Sequence, residues 1–223
     1  MYDITTGASI NEELISLLTV ESAVPVLDKS GVTDVYVSNI ESNGDVYVQV
    51  RNFGYTCLMD LLKSISDSII KNPPLDLLIP RPTPGTSRDR LYLVKCNVTQ
   101  RWLRATIIDW SPKGDLAQIY FLDIGNTQVV SVANDRMYPL DKLSEVLCQY
   151  PPQAVKVRFM IEKIPSDFVQ RAEKLLPSDE RVLLKISSYD NENVAWVEFF
   201  KRMSDGVLVF INKSISVEAE LQR

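Results

Sequence analysis

Four short runs of alternating apolar and polar residues follow one another between residues 91 and 132, with turn-forming residues between them. They read LYLVKC (91–96), WLRATIIDW (102–110), LAQIYFLDI (116–124) and TQVVSV (127–132). Alternation with period two is typical of strands that bury one face. Strands that recur about every ten residues, with turns between them, indicate a small barrel. The pattern therefore predicts a four-stranded barrel near residues 90–140.

Strand and helix patterns flank this segment on both sides. Asn43-Gly44 joins alternating runs at 32–40 and 46–50, which predicts a hairpin. Further strands are predicted at 154–161, 182–190, 193–201 and 206–215, and helices at 10–20, 58–71, 166–177 (with Ser166 as N-cap) and 216–223. Neither flank is large enough to bury a core alone, so we expect the two flanks to fold together.

Several classes of chemistry are excluded by composition. The chain has no histidine, which rules out Ser-His-Asp and Cys-His nucleophile systems and an imidazole zinc ligand. Cys57, Cys96 and Cys148 lie far apart and form no C-x-x-C pair, so neither a thiolate metal site nor a redox dithiol is expected. We predict no catalytic residues, no metal and no cofactor, in a reducing compartment.

The net charge of −5 limits the choice of partner. Neutralising phosphates requires clustered Lys and Arg, so the acidic surplus disfavours direct nucleic-acid binding. The same surplus suits a basic partner such as an arginine-rich peptide, although it is also what keeps many proteins soluble. No apolar run reaches the roughly 20 residues of a membrane helix, and no signal peptide is recognisable. We expect an intracellular protein with no membrane segment.

The segment RWLRATIID…QIYFLDIGNTQVV carries the most specific motif. Its W-x-R-A and x-D-x-G-N patterns resemble the Tudor-domain motifs W-Y-R-A and aromatic-x-D-Y-G-N. The order of the flanking elements is similar to that of extended Tudor domains. This resemblance implies a mainly β fold with helices (α+β). A Tudor barrel would be inserted into a split staphylococcal-nuclease-like (OB-fold) β-barrel and joined to it by a long helix.

The resemblance also implies a division of the chain. Residues 1–57 would hold the N-terminal helix and the first part of the nuclease-like unit, and 58–72 the linking helix. Residues 73–90 would be a proline-rich connector, 91–140 the Tudor barrel, and 141–223 the second part of the nuclease-like unit.

The function that the resemblance implies is a binding module and not an enzyme. Extended Tudor domains of germline proteins bind arginine-rich N-terminal tails of Piwi-family Argonautes, often with symmetric dimethylation of the arginine. The methylated guanidinium is held between aromatic faces by cation–π attraction, and an asparagine bonds a remaining N–H. The implied setting is the piRNA pathway and transposon silencing, in the cytoplasm and in perinuclear germ granules (nuage).

The family's cage of four aromatics and one asparagine is carried over as Asn97, Leu103, Phe121, Ile124 and Asn126. One aromatic remains, and each lost cation–π contact removes roughly 0.5–2 kcal/mol. Leu103 and Ile124 would hold an aliphatic stem better than they would reward methylation. We therefore predict a peptide site with little or no dependence on methylation, formed by Phe121, Asn126, Ile124, Leu103, Asn97 and Asp123.

Some alternatives stay open at this point. Arg104 and Asp123 are expected to form an ion pair between neighbouring strands, and the alternative is direct peptide contact by Asp123. Tyr92 is a neighbouring aromatic that would complete a non-standard cage, whereas strand alternation points Tyr120 away from Phe121. The whole chain would otherwise be a structural or dimerisation module, or a symmetric dimethylarginine reader with that non-standard cage. A nuclease or RNA-binding role is disfavoured by the acidic charge.

Overall fold

The structure of the protein, a computed structural model, describes residues 18–72, 82–83, 90–178 and 180–220. The chain forms two compact units. One comprises Met1–Val24 and Asn52–Pro152, and the other Pro25–Arg51 and Gln153–Arg223. Residues 52–152 therefore interrupt the second unit in sequence, as a domain insertion does.

The described residues form strands and helices in the following order. The strands are β1 (Val32–Ile40), β2 (Asp45–Gln49), β3 (Leu91–Lys95), β4 (Trp102–Trp110), β5 (Leu116–Phe121), β6 (Thr127–Ser131), β7 (Met137–Pro139), β8 (Val155–Phe159), β9 (Arg181–Tyr189), β10 (Ala195–Arg202) and β11 (Leu208–Phe210). The α-helices are α1 (Phe53–Lys71), α2 (Glu145–Gln149), α3 (Phe168–Leu175) and α4 (Ile211–Glu220). Residues 18–22 are also helical.

The first unit contains the small barrel, with strand order β6-β5-β4-β3-β7 and antiparallel pairing throughout. The prediction of four strands was one strand short, because β7 has only three residues and ends in Pro139. Proline is tolerated there because β7 lies at the edge of the sheet. The inward side chains form one apolar cluster: Tyr92, Val94, Cys96, Leu103, Ala105, Ile107, Ala117, Ile119, Phe121, Ile124, Val130 and Met137.

Helix α1 belongs to the same unit and starts five residues before the predicted 58–71 helix. The Asn52 side chain accepts a hydrogen bond of 2.8 Å from the Tyr55 N–H and so caps an earlier first turn. Leu58, Leu62 and Ile69 are buried on one face of the helix, as their spacing predicted. Most of the predicted 10–20 helix and of the 73–90 connector lies outside the described residues.

The second unit is a closed β-barrel. Its sheet has the order β11-β10-β8-β2-β1-β9, and β9 also pairs with β10, so that five strands close into a ring. Only the pairing of β8 with β10 is parallel among the strand pairs of this unit's described residues. A five-stranded ring of this kind is an OB-fold barrel. The predicted fold class, a Tudor barrel inserted in sequence into a second β-barrel, is confirmed.

Two local predictions in this unit were wrong. Residues 206–215 are not one strand, because α4 begins at Ile211 directly after the short β11. The buried Asn212 side chain fixes that helix start by bonding backbone groups of Phe199, Met160 and Val197. Ser166 is not the N-cap of α3, since Asp167 holds that position and its side chain binds Arg171 instead of the helix N-terminus.

Candidate functional site

All six predicted site residues lie at one end of the small barrel. Asn97 is in the β3–β4 turn, and Leu103 is the second residue of β4. Phe121 ends β5, and the turn from β5 to β6 carries the others. In an antiparallel meander the first and third turns lie at the same end of the sheet. The fold therefore brings together the positions that the resemblance implied.

The apolar members of the set are largely buried. Leu103 is 3% exposed, Phe121 0% and Ile124 9%. Phe121 lies opposite Ala105, which lies opposite Tyr92, so the two aromatic rings point inward from one cross-strand row. In this conformation a ligand at the barrel end would meet Ile124 and the rim, and would reach the Phe121 ring only after the interior rearranged.

Tyr92 is inside the barrel, as a substitute cage residue would need to be, but it is 1% exposed. Its hydroxyl makes no hydrogen bond to the described residues. Burial raises the pKa of Tyr92, an effect that the charge of Arg90 opposes and that of Asp141 reinforces. The phenol is therefore neutral at physiological pH and, where it lies, presents no open aromatic face.

Asp123 forms an ion pair with Arg104, which confirms the predicted pairing. The Asp123 oxygens accept from Arg104 Nε at 3.0 Å and Nη2 at 2.6 Å, and both side chains are fully buried. The guanidinium also donates to the backbone oxygens of Leu147, Tyr150 and Pro151 at 2.6–2.9 Å. Arg104 thus ties the barrel to the segment around α2, and Asp123, buried in the ion pair, exposes no surface to a peptide.

The rim of the barrel end is made of carboxamides. Asn97 is exposed, and its N–H donates to Gln128 Oε1 at 2.9 Å while its carbonyl accepts from Gln100 Nε2 at 2.7 Å. Asn126 is half-buried, and its carbonyl accepts from the Phe121 N–H at 2.9 Å. Carboxamides both donate and accept, so this rim can hydrogen-bond a guanidinium or a peptide backbone.

The two glutamines of the rim were missed by the sequence reasoning. Gln128 contacts a backbone N–H 31 residues away, and Gln100 bonds within a turn. Glutamines are common on exposed strands and turns, so neither position carries a sequence signal that would have singled it out.

Within the described part of the chain, no three His, Cys, Asp or Glu side chains lie close enough to hold a metal ion. Over the same residues, none of the helices combines the length and apolar character that a membrane crossing requires.

Comparison with known families gives a direct match. The family model for the Tudor domain covers residues 28–160, more than half of the chain. The chain belongs to the Tudor domain family. The predicted resemblance is therefore confirmed, and the matched residues include both motifs of the small barrel.

Curated relatives of this Tudor domain are much longer proteins. Human Tudor domain-containing protein 7 is 34% identical over 125 residues, which are 56% of this chain and 11% of the relative. Zebrafish (Danio rerio) Tudor domain-containing protein 7A is 30% identical over 165 residues, 70% of this chain and 14% of the relative. The chain thus spans between a tenth and a seventh of the relatives it matches.

Solved extended Tudor domains share the fold. The BmPAPI domain gives a TM-score of 0.70 at 18% identity, covering 84% of this chain and 96% of that one. A mouse TDRD1 extended Tudor domain, solved with a MILI peptide containing dimethylarginine, gives 0.66 at 16% identity, covering 86% and 93%. Drosophila melanogaster Papi, solved with a dimethylated Piwi N-terminal peptide, gives 0.67 at 16% identity, covering 85% and 98%.

Proposed function

We propose that this Tudor domain is a non-catalytic scaffold module that recognises an arginine-containing N-terminal tail of a Piwi-family Argonaute, with little or no dependence on arginine methylation. Support for the partner class comes from structures of the same fold that hold MILI and Piwi peptides. The same proposal places the protein in the cytoplasm, in germline granules of the nuage type, where it would contribute to piRNA-guided transposon silencing.

The proposed independence of arginine methylation rests on the residues that occupy the cage positions implied by the family resemblance. Leu103 and Ile124 replace aromatics, and the remaining aromatic, Phe121, is fully buried. A methylated guanidinium gains from aromatic faces that it can touch, at roughly 0.5–2 kcal/mol each. Against an aliphatic side chain such as Ile124, the methyl groups gain little, while the stem of the arginine still packs.

The carboxamide rim adds to this preference. An unmodified guanidinium presents five N–H donors, and symmetric dimethylation replaces two of them with methyl groups. In the proposed site the Asn97 and Asn126 side chains accept such donors directly. Ile124 contacts the arginine stem, Leu103 and Phe121 form the buried apolar floor, and Asp123 keeps the β5–β6 turn in place through Arg104.

Charge supports the choice of a basic tail. The chain carries 29 acidic and 24 basic side chains. A net negative protein attracts an arginine-rich peptide over a distance of about one Debye length, roughly 8 Å at physiological salt. The expected binding therefore weakens as salt is raised.

Two substitutions test the proposed site. Asn126→Ala removes a rim acceptor and should weaken binding of an unmodified arginine peptide by about threefold to tenfold. Ile124→Tyr places an aromatic at the barrel end and should create a preference for the symmetrically dimethylated peptide. The matched control is Ile108→Tyr, which adds the same ring at a residue 37% exposed on β4. Unchanged binding by both site variants would overturn the placement of the site.

A dimerisation role is the second candidate. Exposed apolar side chains occur on three neighbouring strands of the barrel, namely Ile108 on β4, Leu116 on β5 and Val129 on β6. Light scattering of the same sample distinguishes the two functions. A stable dimer with no affinity for arginine peptides would favour this candidate, and a monomer that binds them would exclude it.

A further inference from the structure

The β3–β4 turn, residues 96–101, is held in an unusual conformation. Gln100 has a φ angle of 58°, in the left-handed region that residues other than glycine seldom adopt. Two backbone bonds close the turn, from Cys96 N–H to Arg101 oxygen at 2.8 Å and from Gln100 N–H to Cys96 oxygen at 2.9 Å. The Gln100 side chain adds the bond to the Asn97 carbonyl. Such a backbone persists only where its surroundings fix it.

One side chain from another strand fastens this turn to the rest of the barrel. Gln128 lies on β6 opposite Ile119, and its Oε1 accepts from the Asn97 N–H at 2.9 Å. Gln128 follows the Asn126 turn by two residues. The bond therefore joins the two turns that carry the rim carboxamides, although they are far apart in sequence.

The β3–β4 turn exposes the side chains of Asn97 and Val98. Val98, at its tip, is 74% exposed, although it is β-branched and apolar. Asn97 beside it is exposed, and its backbone N–H and carbonyl are already bonded to Gln128 and Gln100. The side-chain amide of Asn97 and the methyl groups of Val98 are thus directed outward from a turn with little freedom to move.

We propose that Gln128 is a positioning residue for the peptide site: it holds the β3–β4 turn so that Asn97 and Val98 contact the partner residues that flank the arginine. This inference rests on the proposed function. The chemistry at the turn suits an extended segment with an apolar side chain beside the arginine, its backbone hydrogen-bonded by the Asn97 amide.

The expected energetic effect follows from preorganisation. A turn that is already ordered loses little conformational entropy when a peptide binds to it. Removing one neutral hydrogen bond changes an equilibrium by about threefold to tenfold. Loss of the Gln128 bond should therefore weaken peptide binding by about that factor and leave the fold intact.

The test compares Gln128→Ala with Gln128→Glu, since a carboxylate still accepts from the Asn97 N–H. Gln118→Ala and Gln118→Glu on the adjacent strand β5 are matched controls for lost side chain and added charge; Gln118 is half-buried. Each is titrated with one unmodified arginine-containing peptide with an apolar residue beside the arginine. The Asn97 amide is followed by nitrogen-edited NMR, and thermal unfolding is recorded.

We expect Gln128→Ala to weaken binding by about threefold to tenfold and to shift the Asn97 amide signal. Gln128→Glu should restore that signal and bind at least as well as Gln118→Glu. If the wild type binds the peptide and Gln128→Ala binds it equally well, this inference is overturned but the proposed function is not. A wild-type protein that binds no arginine peptide would overturn the proposed function, and with it the site that Gln128 is said to position.

Discussion

Arg104 and Asp123 form a two-point ion pair that is completely buried in the small barrel, with oxygen–nitrogen distances of 2.6 and 3.0 Å. Three backbone oxygens take further N–H donors of the same guanidinium. These are the arginine of W-x-R-A and the aspartate of x-D-x-G-N. The most specific part of the motif therefore maintains the barrel itself.

Breaking this pair should be costly. Arg104→Met leaves the Asp123 carboxylate buried without its cation, which typically costs about 3–5 kcal/mol of unfolding free energy. Arg90→Met is the control, because Arg90 and Asp141 form a partly exposed pair at 3.1 Å that is worth about 1 kcal/mol or less. Denaturant unfolding measures both variants. Equal losses would show that burial adds nothing to the pair.

Acid sensitivity should trace in part to Asp45. Burial by itself would raise its pKa, but hydrogen bonds from Lys156 and Arg158 at 2.6 and 3.0 Å, together with their charges, outweigh burial and lower it below its ordinary value of 3.8. A lowered native pKa gives stability that is present above the ordinary value and is lost as pH falls through the native value.

The unfolding free energy should accordingly fall as the pH drops below about 4. Asp45→Asn cannot titrate, so its unfolding free energy should depend less steeply on pH over that range, whatever its absolute value. Lys156→Met removes one cation and should give an intermediate slope. Identical pH slopes for the wild type and Asp45→Asn would contradict the assignment.

Helix α1 should not tolerate a methyl group at its second residue. A Cβ atom at Gly54 would overlap the backbone of Ala23 and lie 2.5 Å from the Thr19 oxygen. Alanine favours a helix over glycine by about 1 kcal/mol, but backbone overlap cannot be relieved by a rotamer change. Gly54→Ala should therefore lower the melting temperature. Ser64→Ala, at an exposed position of the same helix, should leave it unchanged or raise it.

Asn212 should be needed for the second barrel. Its side chain accepts from the Phe199 N–H at 2.7 Å and donates to the Met160 and Val197 oxygens at 3.1 and 3.0 Å. Asn212→Ala leaves the buried Phe199 N–H without that acceptor, which costs about 1–3 kcal/mol. Ser216→Ala, which removes one hydroxyl bond in the same helix, is the milder control. Similar melting temperatures for the two variants would count against the role given to Asn212.

Sequence reasoning succeeded where one local rule decided the structure. The bounds of β1 and β4 match the predicted 32–40 and 102–110, because long runs alternate there and clear turn residues end them. The Arg104–Asp123 pair was predictable because the motif places opposite charges on β4 and just beyond the end of the neighbouring strand β5. Two of the features that were missed, β7 and the start of α4, depend on partners distant in sequence: β3 for the strand, and backbone groups of Phe199, Met160 and Val197 for the helix.

The grouping of the candidate residues at one end of the barrel was predictable, but their burial was not. The motif locates the barrel end and its two turns. It does not reveal that Phe121 and Asp123 are fully buried, since that follows from the packing of the whole interior. Gln128 is invisible to pattern reasoning because its partner is a backbone N–H and not a complementary side chain.

Calorimetric titration of the protein with one arginine-rich Piwi-family N-terminal peptide, unmodified and symmetrically dimethylated, tests the central claim most directly. With Leu103 and Ile124 in place of aromatics, we expect the unmodified peptide to bind at least as tightly as the dimethylated one, or within about threefold of it. Dimethylated peptide that binds tenfold or more tightly would contradict the account, because Leu103 and Ile124 offer no aromatic face and Phe121 and Tyr92 are buried.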